Sequence, residues 1–152
     1  IPYEDTSVSV VKSIAEIEEL LVVHHASQVA KEYESGRIKG LAFWVADHPF
    51  RLPANTEAIY SYLLKKKRDS PVYKVHNSAF QPETQRTIHE QAERVAWRNV
   101  AAWVKAQLAM VEIGMVQVAE VFMPYMLVSP TDTVYQRLTS GRDIPALMEA
   151  RP

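Results

Sequence analysis

Apolar and polar positions alternate with two different periods along this chain, and the change of period outlines the fold. Ile14, Ile17, Leu20, Leu21 and His24 fall at helical spacing, while Glu16, Glu18 and Glu19 face the other way. Ser13 followed by Glu16 is a capping-box pattern, so a helix is predicted over about residues 14–25. From Gln28 the period shortens to two. Val29, Lys31 and Tyr33 alternate with Ala30 and Glu32, Ser35-Gly36 signals a turn, and Arg37 to Ala46 is rich in strand formers. Asp47-His48-Pro49 interrupts the pattern, and Phe50-Arg51-Leu52 is predicted as a short third strand ending at Pro53. A three-stranded antiparallel meander follows.

Helical spacing then returns. Asn55 caps a predicted helix from Thr56 to Leu64, which runs out in Lys65-Lys66-Lys67-Arg68, a basic end that suits the helix dipole. Ser70 to Gln81 has no strong period and is expected to be a loop or a short extended piece. Pro82 and Glu83 form a helix start. Ile88, Ala92, Val95, Trp97, Val100, Ala101, Val104, Leu108 and Val111 carry one apolar stripe until Gly114 stops it. Such a helix is roughly 45 Å long. A shorter helix is predicted from Val116 to Tyr125, bent or ended near Pro124, then a turn at Ser129 to Asp132 and a last helical turn or two over Thr133 to Leu138. Residues 141–152, with two prolines, are expected to be a loosely held tail. The fold class predicted is α+β in one domain, residues 1–152: an N-terminal extension over 1–12, a helix, a three-stranded meander, then a mainly helical half with one long helix packed across the sheet.

Composition adds limits. With 152 residues, 47% hydrophobic and 23% charged, the chain is an ordinary globular sequence. It is long enough to bury a core unaided. No run approaches the ~18 apolar residues of a membrane span. Ile1-Pro2-Tyr3-Glu4-Asp5 has no signal-peptide character, and the absence of an initiator methionine suggests either trimming or an artificial start to the chain. Zero cysteines exclude disulfides, thiolate metal sites and thiol nucleophiles, so a cytoplasmic location is expected.

The net charge of −1 conceals an asymmetry. Residues 1–34 hold seven acidic and two basic side chains, whereas residues 35–75, ending with Lys74, hold eight basic and three acidic. Either this marks a face for an anionic partner, or the two segments neutralise each other.

The block Ala96-Trp97-Arg98-Asn99 to Lys105-Ala106-Gln107-Leu108, the run Val111-Glu112-Ile113-Gly114 and the element Phe122-Met123-Pro124-Tyr125-Met126-Leu127 resemble a family of small phage and prophage proteins. So do the opening Ser7-Val8-Ser9-Val10-Val11-Lys12-Ser13 with its following helix and a tail like Leu138 to Leu147. The likeness covers most of the chain. It departs from the family in a longer Tyr60-to-Phe80 region and lacks an Asp-Gly pair near Pro130 to Thr133. The resemblance implies a mobile-element context and an α+β fold, and no catalytic residue.

Candidate chemistry is sparse. His24-His25, His48, His76 and His89 show no His-x-x-x-His pair, and neighbours on a helix point about 100° apart, so no metal site is expected. Four scattered glycines form neither a Walker loop nor a dinucleotide loop, and no serine lies in a nucleophile elbow. No enzyme activity and no cofactor are expected. Glu90–Arg94 is an i,i+4 pair, Arg94, Arg98 and Lys105 could line a basic ridge, and Glu112 at a helix end calls for a partner such as Arg98 or a tail residue.

Phe43 and Trp44 are strand neighbours, so one of them must face outward. An outward aromatic beside Arg37, Lys39 and Arg51 resembles a single-strand-binding surface, which Lys65, Lys66, Lys67 and Arg68 would extend. The leading expectation is therefore a non-enzymatic nucleic-acid-binding accessory protein using Arg37, Lys39, Trp44, Arg51 and Lys65 to Arg68. The alternatives are a protein-binding inhibitor of a host defence complex, contacting through the acidic first third or the exposed aromatic, and a ligand-free homodimer formed by the long helix.

Overall fold

The computed structural model describes residues 1–71 and 80–140. Lys74, His76, most of the predicted 70–81 loop and the predicted 141–152 tail lie outside the described residues. The elements are α1 (Val10–Val23), β1 (Gln28–Glu34), β2 (Arg37–Val45), β3 (His48–Arg51), α2 (Thr56–Arg68), α3 (Pro82–Glu112), α4 (Val118–Phe122), a 3-10 turn (Met123–Tyr125) and α5 (Val134–Ser140). This is the α+β fold read from the sequence, with its N-terminal helix, antiparallel three-stranded sheet, long helix and further helices. The chain divides into two compact units, Ile1–Ile17 with Ala54–Lys105 and Glu18–Pro53 with Ala106–Pro152.

In the first unit, α1 begins four residues before the predicted start. Ser9, not Ser13, supplies the cap, its Oγ accepting from Lys12 N at 3.1 Å. Ser13 is fully buried with Ile14 and Ile17. The apolar stripe of α3 is buried as its spacing requires, from Ile88 through Ala92, Val95, Trp97, Val100 and Ala101 to Val104. Arg98 Nη2 donates to Glu16 Oε2 at 2.7 Å, clasping α3 to α1. Asn55 caps α2 through Ala58 N at 3.0 Å, yet α2 buries none of its residues completely.

In the second unit, strand order is β1-β2-β3. The Ser35-Gly36 turn has positive φ at both residues (52° and 77°), which matches the twist of a two-residue hairpin. The second turn is Ala46-Asp47, again with positive φ at both residues, so β3 starts at His48 rather than Phe50. Pro49 fits there because β3 is at the sheet's edge and its carbonyl accepts from Leu127 N at 2.8 Å. One face of the sheet is core. Phe43 and Phe50 are cross-strand partners stacked at 5.1 Å, and Phe122 of α4 meets Phe43 edge-on at 5.4 Å. Gly114, φ 79°, follows the end of α3, as its sequence predicts. The helix predicted over Val116 to Tyr125 is shorter and closes as the 3-10 turn containing Pro124.

Candidate binding face of the sheet

Register decides which side chains share the other face. Gln28 pairs with Trp44, Ala30 with Ala42 and Glu32 with Gly40, while Trp44 and Ala42 pair across β3 with Pro49 and Arg51. Directly opposed residues point the same way. Trp44, half-buried, therefore shares a face with Gln28, Glu32, Pro49 and Arg51, while Phe43 is fully buried on the other. Trp44 is the outward aromatic of the pair.

The register shifts after Glu32, because Tyr33 opposes Ile38 and leaves Lys39 as the extra residue of a β-bulge. Strict alternation from Trp44 would send Arg37 to the core side. The bulge returns it, opposite Glu34, to the side of Glu32 and Arg51. Gly40 is the sequence signal for this irregularity, since glycine inside a strand marks a bulge or a close approach. Here it marks both. A Cβ at Gly40 would lie 3.3 Å from Arg51 Nη2 and 3.4 Å from Glu32 Oε2, so the Arg51–Glu32 pair lies across its bare backbone.

That pair changes the electrostatics of the surface. Arg51 Nη2 donates to Glu32 Oε2 at 2.7 Å, and Lys39 is paired with Glu34. On the neighbouring strand position, Lys31 pairs with Glu18 at 2.7 Å, and the contact holds the Lys31 ammonium above its ordinary pKa. The sequence left open whether the acidic first third faces a partner or neutralises the basic segment. Glu4, Glu16, Glu18, Glu32 and Glu34 all engage a cation, three of them from the basic segment.

Lys65, Lys66, Lys67 and Arg68 lie at the C-terminal end of α2, in the first unit, whereas Arg37, Lys39, Trp44 and Arg51 belong to the second. Lys66 pairs with Glu4, and their hydrogen bond holds the Glu4 carboxyl below and the Lys66 ammonium above their ordinary values. Arg68 places its guanidinium 5.9 Å from the centre of the Phe80 ring, within cation–π range.

Other pairings expected from the sequence go to different partners. Arg94 donates to Gln91 Oε1 instead of meeting Glu90, which lies 4.0 Å from Arg86. Arg98 goes to Glu16, so Glu112 finds His24 Nε2 at 3.9 Å in place of Arg98. The Arg94–Arg98–Lys105 ridge thus has two of its three cations engaged within the fold.

Among the described residues no three His, Asp or Glu side chains converge as a metal ion would need, and no helix is long and apolar enough to cross a membrane. Comparison with protein-family models, with curated proteins and with solved structures finds no match.

Proposed function

We propose that this is a non-catalytic, protein-binding protein whose contact surface is the Trp44 face of the sheet. The observation that carries this is charge compensation around an outward tryptophan. Nucleic-acid platforms combine stacking aromatics with an uncompensated cationic groove. The Trp44 face instead pairs Arg51 with Glu32, and the bulge beside it pairs Lys39 with Glu34. Tryptophan and arginine are the side chains that dominate protein interfaces, and neutral polar surroundings suit such a centre. The resemblance to phage and prophage proteins makes a host defence complex the natural class of partner.

A second reading keeps nucleic acid as the ligand. It is favoured by a different feature, the four consecutive cations Lys65 to Arg68 at the end of α2. The two separate cleanly. Wild type and Trp44→Ala are used as bait in a nuclease-treated host lysate, and both are titrated with labelled oligonucleotides across a salt series. The proposal expects one stoichiometric protein retained by wild type and lost with Trp44→Ala. Salt-dependent oligonucleotide binding, abolished by neutralising Lys65 to Arg68 and indifferent to Trp44, would overturn it in favour of nucleic acid.

A further inference from the structure

One histidine stands between two carboxylates from different helices. His89 of α3 places Nε2 3.0 Å from Glu57 Oε1 of α2 and Nδ1 3.0 Å from Glu93 Oε1, one turn further along α3. The Tyr60 ring of α2 lies against the imidazole at 5.2 Å between centroids. The charged pair Arg86–Glu90 lies to either side of His89 on α3, and Arg94 is turned to Gln91.

We propose that His89 is a proton-dependent clasp that fastens the N-terminal end of α2 to α3. A neutral imidazole has one N–H and one lone pair, so it donates to one carboxylate and turns a lone pair on the other. Only the imidazolium donates to Glu57 and Glu93 together. When the proton leaves, exposure decides which contact breaks. Glu93 is on the same helix and its side chain is 13% exposed, whereas that of Glu57 is 76% exposed and rehydrates without moving far. The proton stays on Nδ1 toward Glu93, and Glu57 lets go.

Release of one contact matters for α2 because the helix has no fully buried residue to hold it. Among its other contacts, the Lys66–Glu4 pair does not titrate with it. Glu4 is held below and Lys66 above their ordinary values, so both stay charged throughout the range in which histidine titrates. Helices anchored by few buried contacts open as local units. The N-terminal end of α2 is thus held when the imidazole carries both protons and released when it loses one, while Lys66 keeps the basic end at Glu4.

Amide hydrogen exchange tests this, with rates corrected for intrinsic pH dependence and the buried stretch of α3 as internal reference. Between about pH 5.5 and about pH 8, the protection of residues 57–64 falls roughly threefold or more in wild type, a modest change because the contact is exposed. Glu57→Gln, an exposed substitution that leaves the core untouched, makes α2 protection independent of pH, and His89→Gln does the same. Wild-type protection that is equal at the two pH values would overturn the proposal. So would a pH dependence that survives Glu57→Gln.

Discussion

Phe43 and Trp44 are adjacent on β2 and have opposite fates, which makes the two faces of one small sheet a controlled comparison. Phe43 is fully buried in a three-ring cluster with Phe50 and Phe122. Trp44 is half-buried on the face that also carries Gln28, Pro49, Arg51 and Glu32. One face is held by close packing of rings, and its strength lies in area removed from water. The other is held by half-exposed ion pairs that contribute little to stability. The lesson is a division of labour: the Phe43 face folds the unit, and the Trp44 face is the one our proposal assigns to binding.

The strongest way to break this comparison is Phe43→Ala. It removes the ring that touches both partners, and about 3–5 kcal/mol of unfolding free energy should be lost in urea denaturation. A loss under about 1 kcal/mol would mean that the cluster does not hold the unit, since a cavity of that size cannot be cheap in a close-packed core. Trp44→Ala should cost less than half as much stability, because part of the ring is already in water. Its effect belongs in affinity, where a central tryptophan is worth roughly tenfold or more. Isothermal titration with the captured partner measures that directly. If Trp44→Ala instead unfolds the protein as Phe43→Ala does, the two faces are not different in kind.

Much of this was legible in the sequence, for reasons that can be named. The long stripe from Ile88 to Leu108 repeats often enough that helical period, start and stop agree, and α3 runs from Pro82 to Glu112 as read. The alternation in β2 required one of Phe43 and Trp44 to face outward, and Trp44 does. Less legible were features set by contacts between distant residues. The bulge at Lys39 depends on how β1 and β2 pair, so the face of Arg37 could not be counted from Trp44. The neutralisation of Lys39, Arg51 and Lys66 depends on which glutamates they meet in space.

Ser13 shows how a local pattern can mislead. Ser13 and Glu16 have capping-box spacing, but Ser9 caps α1 and Ser13 sits buried inside it, its Oγ without a hydrogen bond among the described residues. The two interpretations predict opposite signs for Ser13→Ala. Loss of a cap would cost about 1 kcal/mol. Removing an unpartnered buried hydroxyl from a helix interior, where alanine is the best former, should leave stability unchanged or raise it by up to about 1 kcal/mol. Thermal unfolding of the single variant distinguishes them.

The smallest expected effect probes the Trp44 face itself. Arg51 and Glu32 have side chains 32% and 43% exposed, so water screens their attraction and the pair also bears the entropy of holding two long side chains. A double-mutant cycle with Arg51→Gln and Glu32→Gln should return a coupling of about 0.2–1 kcal/mol. That coupling should shrink between about 0.1 and 1 M salt, as the screening length falls from about 10 Å to 3 Å. The Gly40 floor sharpens the expectation, because the pair lies flat on bare backbone and gains geometry without gaining burial. A coupling above about 2 kcal/mol that ignored salt would show a desolvated pair. The Trp44 face would then be a second packed layer, and it would have to lose its role as the surface left open for a partner.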